Sequence, residues 1–137
     1  MDKHPTLIVL LNFVKNIRHL DSFNNDEIRI NMQSIGGSWG AGTSIYDAIA
    51  SCKSYVTIVV YGQAESMSGV ILQAADNRLM SPSSHSKCVN GKFFQERGYN
   101  LSKTKSYIKR RMKDGDWYLN SHEAVQFGFV DGILDDK

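Results

Sequence analysis

Cysteine is scarce in this chain, and neither strong charge, a long apolar run nor a repeat takes its place as a guide to function. The 137 residues hold two cysteines, Cys52 and Cys88, with no motif spacing and no histidine pattern of the metal-binding kind beside them. That points away from a disulfide scaffold or a metal module and toward a reduced, cytoplasmic chain. The formal net charge is +2, too weak to argue for nucleic acid or a membrane surface. Basic residues do gather in "KTKSYIKRRMK" (103 to 113), which reads as the solvated face of a helix. The apolar run "LIVLL" (7 to 11) is far too short to span a bilayer, and its flanks Lys3, His4 and Lys15 do not make a signal peptide. No internal repeat or low-complexity segment is present. The expectation is a single domain over 1–137, soluble and intracellular, with no nucleic-acid or membrane partner.

A chain of this length buries roughly two thirds of the surface that it exposes when unfolded, enough for a core without staples. Leu7, Leu10, Leu11, Val14 and Ile17 recur at helical spacing, although "TLIVLL" could equally begin as a strand. In "EIRINMQ" the apolar Ile28, Ile30 and Met32 alternate with polar residues, the period of a strand. "SIGGSWGAG" (34 to 42) reads as a glycine-rich turn leading into a helix with Ile45, Ala48, Ile49 and Cys52 on one face. "YVTIVVYG" is a β-branched run of the kind buried on both sides of a parallel sheet. Met67, Val70, Ile71 and Ala74 then repeat as a helix beginning at Ser66. Strand, turn, helix, strand, turn, helix is the α/β pattern with crossover connections.

Residues 81 to 100 read as irregular, followed by a basic helix from Lys105 to Met112. In "NSHEAVQFG", Asn120 can cap a helix, Glu123 can return the cap bond and Gly128 can end it. "FVDGIL" reads as a last strand.

The chemistry suggested by this order centres on Ser66. A nucleophilic serine needs a base for its proton and donors for an oxyanion. Gly36 and Gly37 let the backbone approach a ligand closely, and the Gly37 and Met67 amides could converge on one oxygen. Small residues around Ser66 suit the tight elbow of hydrolases, although Ala64 and Ser68 stand where G-x-S-x-G has glycines. On spacing alone, a structural serine at a helix start is the simpler account.

"INMQSIGGSWGAGTSIYDAI", "GQAESMSG" and "AADNRLMSP", followed at the end by "DWYLNSHEAVQFGFVDGIL", resemble in that order the ClpP family of serine peptidases. The resemblance implies the ClpP fold, a cousin of the crotonase architecture: α/β, with a mostly parallel sheet, crossover helices and a reduced handle region. It implies Ser66 as nucleophile, Gly37 and Met67 as oxyanion donors and Asp116 as the acid that orients a histidine. It implies an unfolded polypeptide as substrate, a homo-oligomeric ring, an AAA+ unfoldase as partner and no cofactor or metal.

The departures are specific. The family's histidine position falls, by count from Pro82, on Val89, which cannot accept a proton. The nearest histidine is His85, four residues earlier and about 13 Å away along an extended strand. Either a local shift brings His85 toward Ser66 as the base, or the chain is a catalytically silent homologue serving as a structural or regulatory ring subunit. His4, His19 and His122 stand in worse places, and Lys87 would act as a base only if desolvation lowered its pKa. The interval from His85 to Asp116 is shorter than the family's, and the family's N-terminal strand and axial loop are expected to be reduced or absent. Ile35 stands in place of a proline, and Trp39, in place of a smaller residue, is set to crowd the substrate groove. A crotonase-like acyl-CoA enzyme would use the paired amides too, but it leaves Ser66 without a role.

Overall fold

The computed structural model describes residues 5–88, 106, 109–113 and 115–134. The elements run α1 (Pro5–Phe23), β1 (Ile28–Ser34), α2 (Trp39–Ala50), β2 (Val56–Glu65), α3 (Met67–Leu72), β3 (Asn77–Met80) and β4 (His85–Cys88). Then come β5 (Trp117–Asn120), α4 (Ser121–Gln126) and β6 (Gly132–Ile133). The apolar spacing from Leu7 settles as helix from its first residues, and the alternation in "EIRINMQ" becomes β1 as expected. The Lys105–Met112 helix falls partly outside the described residues, among which Ser106, Lys109, Arg110 and Arg111 are helical and Met112 is in a turn. Val89 lies outside them as well.

Two expectations are corrected. The glycine-rich stretch is not a turn throughout: α2 begins at Trp39, and the Gly42 amide already donates to the Ser38 carbonyl at 2.9 Å. Gly40 and Gly42 thus lie inside the helix. The stretch 81 to 100 is not all irregular either, because β4 within it is a strand of four residues, as is β3 just before it. Segments so short carry too little alternation to register as strands.

The sheet is mostly parallel. β2 pairs in parallel with β1 on one edge and with β3 and then β4 in succession on the other, β6 continues in parallel from β3, and only β5 runs antiparallel, against β4. Parallel neighbours require crossovers, which α2 and α3 supply. β2 is the hub, and its Ile58, Val59 and Val60 are fully buried, as a strand covered on both faces should be. Around it pack Ile17, Ile28, Ile49, Leu72, Met80, Leu119, Ala124 and Val130 in one core. The reciprocal cap read from "NSHE" is present: Glu123 N donates to Asn120 Oδ1 at 2.9 Å and Asn120 N to Glu123 Oε2 at 3.0 Å. Gly128 takes φ 71° just past the helix end. Among the described residues, no helix is long and apolar enough to cross a membrane.

A carboxylate of α1 holds the connection that leads from α2 into β2. Asp21 Oδ1 accepts from the Lys53 and Ser54 amides at 2.9 and 2.8 Å, and these bonds hold its carboxyl below the ordinary 3.8. A depressed folded pKa stabilises the fold above the unfolded value, and that contribution disappears as pH falls through the folded one. Asp21→Asn is therefore expected to lower the thermal midpoint at pH 7, with the gap to the parent closing as pH falls below about 3.8. A gap that stays constant down to pH 2, about two units lower, would show that the bonds rather than the charge carry the effect. In the same region Cys52 donates to the Ala48 carbonyl at 3.3 Å, and burial, then Asp21 and Asp76, push its thiol up, away from reactivity.

Candidate active site

β2 ends at Glu65 and α3 starts at Met67, so Ser66 is the single residue on which the chain reverses. It is the one non-glycine residue with positive φ among the described residues, at φ 52° and ψ −124°. An L-residue held there is strained by about 1–3 kcal/mol, which the surroundings must hold in place. The surroundings do so. Ala64 is fully buried beneath the turn, and buried Ser68 donates its hydroxyl toward the Ser34 and Glu65 carbonyls at 2.9 and 2.6 Å. The small size of Ala64 and Ser68 was legible in the sequence. The bonds of Ser68, which fasten the elbow to the end of β1, were not.

The glycine turn presses against this elbow. Gly36 has φ 94°, and a Cβ there would meet Glu65 O at 2.7 Å, Ser66 Cβ at 2.8 Å and Met67 N at 2.9 Å. Ser34 Oγ accepts from the Gly36 amide at 3.0 Å and fixes the start of the turn. Gly37 stands beside it with open space on its Cβ side. Gly36 thus packs directly against the Met67 amide, with Gly37 next to it in the chain. Met67 is buried with its side chain against Gly42 of α2, where a Cβ would lie 2.1 Å from Met67 Cγ. A cavity of about 400 Å³ lies behind the turn, lined by Leu10, Gly36, Gly37, Ile45, Met67 and Ile71 among others. Trp39 and Ile35 flank the turn and are largely exposed.

The polar groups sit on one face of β2, β4 and β5. In the parallel register His85 lies opposite Gln63 and Lys87 opposite Glu65. In the antiparallel register His85 lies opposite Asn120 and Lys87 opposite Tyr118. His85 Nε2 is 3.1 Å from Glu65 Oε1, and its ring stands 6.1 Å from the Tyr118 ring. Lys87 Nζ is 2.5 Å from Asp116 Oδ2 and 5.5 Å from the centre of the Tyr118 ring. The carboxylate of Asp116, foremost, pushes the Lys87 ammonium up. That is the opposite of what a lysine base needs, so Lys87 stays charged. Asp116 thus meets Lys87, and His85 meets Glu65, a residue that sequence reasoning gave no role. Its signal was its place next to Ser66, but its meeting with His85 arises from strand register alone. Among the described residues, no group of three His, Cys, Asp or Glu side chains could hold a metal ion.

A crossover α/β domain with a serine on a strained strand-to-helix elbow has the frame of serine hydrolases. The comparisons with known proteins give the family. A model described as Clp protease matches residues 9–88. The ATP-dependent Clp protease proteolytic subunit of Cyanophora paradoxa is 32% identical over 132 residues, covering 79% of this chain and 68% of the relative. The subunit of the same description from Carsonella ruddii (strain PV) is 28% identical over 145 residues, covering 88% of this chain and 75% of the relative. The solved structure of the ClpP1 N165D mutant from Listeria monocytogenes superposes with a TM-score of 0.73 at 25% identity, covering 94% of this chain and 85% of that one. The chain belongs to the Clp protease family. The resemblance read from the sequence and the expected ClpP fold are both borne out.

Proposed function

We propose that the chain is a Clp-type serine endopeptidase that opens peptide bonds of unfolded polypeptides through an acyl-enzyme on Ser66. The observation that carries this reading is the backbone of Ser66, strained at φ 52° between the glycine turn and α3. A purely structural serine at a helix start has no need of that conformation, whereas a nucleophile at an elbow does. Gly37 and Met67 are the oxyanion donors in this reading and His85 is the base. Asp116, bonded to Lys87, is the acid at the far end of the same face. The chain works as a cytoplasmic homo-oligomeric ring, fed by an AAA+ unfoldase and needing no cofactor.

The register defines what His85 must do. It pairs with Gln63, three residues before Ser66, about 10 Å of extended strand. The imidazole serves the serine by leaning along β2 toward the elbow, the direction in which Glu65 draws it. The same interval favours a second reading, a catalytically silent ring subunit.

A fluorophosphonate probe separates the two. Folded protein is expected to take the probe on Ser66, with labelling abolished in Ser66→Ala and slowed at least ~100-fold in His85→Asn. Assembled protein that leaves the probe unreacted over hours is the silent subunit.

A further inference from the structure

We propose that the carboxylate orienting His85 is Glu65, with Asp116 committed to Lys87 instead. This rests on the reading of His85 as base, and it departs from the assignment of Asp116 to the histidine. Three observations carry it. Glu65 and His85 are in hydrogen-bond contact at 3.1 Å, a diagonal pair across the β2–β4 ladder. Asp116 is held by Lys87 at 2.5 Å, a charge-assisted bond to an ammonium that keeps its proton. And the β4–β5 register separates Asp116 from His85: His85 pairs with Asn120, four residues from Asp116, or about 13 Å of strand. Tyr118 stands between the two pairs, near the His85 ring on one side and the Lys87 ammonium on the other. For Asp116 to reach His85 it would have to abandon its cation and cross Tyr118. Glu65 has no such distance to cross, and with 17% of its side chain exposed it is more sheltered than Asp116 at 49%.

The ring chemistry follows. A carboxylate only accepts, so the Nε2 facing Glu65 is the nitrogen that carries hydrogen. Nδ1 is then the nitrogen left to take the proton of Ser66 Oγ, and the imidazolium so formed is stabilised by Glu65 at its other end. Glu65 is a positioning residue, acting on the serine through His85.

Two readouts test this, one of them independent of catalysis. In protein with 15N-labelled histidine, the His85 ring nitrogens are assigned through His85→Asn. The Nε2 resonance is expected to shift in Glu65→Gln and to hold its place in Asp116→Asn. An Nε2 resonance unmoved by Glu65→Gln overturns the proposal, whatever Asp116→Asn does. The second readout is the fluorophosphonate labelling rate. Glu65→Gln is expected to slow it about tenfold to a hundredfold in the parent and not at all in a His85→Asn background, the non-additivity of two groups acting as one. Equal slowing in both backgrounds also overturns the proposal. If the parent itself takes no label, the endopeptidase reading fails, while the nitrogen spectra still decide which carboxylate holds His85.

Discussion

Arg78→Met is expected to cost about 2–4 kcal/mol of folding stability, because it removes a buried guanidinium whose donors satisfy several groups at once. Arg78 is 1% exposed on β3. Its guanidinium donates from Nε and Nη2 to the two oxygens of Asp131 at 3.0 and 2.7 Å, a bidentate pair. Its Nη1 donates to the Gly128 and Phe129 carbonyls at 3.1 and 3.0 Å and also to Gln73 Oε1. One side chain therefore joins β3, the end of α3 and the loop between α4 and β6. Methionine fills the volume and makes none of these bonds, so the Gly128 and Phe129 carbonyls and the Gln73 side chain lose the donor that joins them. A domain of this size has about 5–15 kcal/mol in all, so the loss is a large share of it. Urea unfolding followed through Trp117, 7% exposed against the core, should show the midpoint fall with an unchanged slope. Asp131→Asn keeps an acceptor, and with 34% of the Asp131 side chain exposed it should cost about 1 kcal/mol. Equal losses in the two variants would mean that the cluster matters for its shape and not for its charge.

Gly36→Ala is expected to have the largest effect on the site. The new methyl would lie under 3 Å from Glu65 O, Ser66 Cβ and Met67 N, and the left-handed backbone adds its own strain. None of the three atoms belongs to the far end of a flexible side chain, so the elbow itself must move. Displacing the Met67 amide from its place should slow fluorophosphonate labelling at least ~100-fold, the loss typical of one oxyanion donor. Stability should fall by about 1–3 kcal/mol as the turn is pushed off the elbow. Gly40→Ala is the control from the same stretch. Its Cβ meets nothing within 4 Å and it lies in the first turn of α2, so alanine should raise stability by about 0.5–1 kcal/mol and leave labelling alone. If Gly36→Ala labels at the parent rate, the contact between turn and elbow has no part in forming the site.

Much of this architecture was legible because its signals are local. The alternation in Ile28, Ile30 and Met32, the β-branched run of β2 and the Asn120–Glu123 cap each depend on neighbours a few residues apart. The glycines and Ser66 were legible as candidates through small residues in a fixed order, which made the family recognisable. The meeting of His85 with Glu65 was not, since it is set by how two parallel strands align, 20 residues apart in the chain. Nor was Arg78, because an arginine in a short polar strand reads as solvated until the loop carrying Asp131 folds over it. The helix start at Trp39 was missed for a different reason: glycines argue against helix by propensity, and here packing overrode it, with Met67 occupying the space that a side chain at Gly42 would need.

The three neighbours of β2 bear on when this protein opens as well as on how it is built. Its first half is held between β1 and β3, and its last residues between β1 and β4, so its backbone is paired on both sides along most of its length. Hydrogen exchange at Val56–Val60 is therefore expected to report global unfolding. Ser66 is anchored at the end of this central strand. Breathing elsewhere in the domain can loosen the approach to the serine without releasing the strain stored in it.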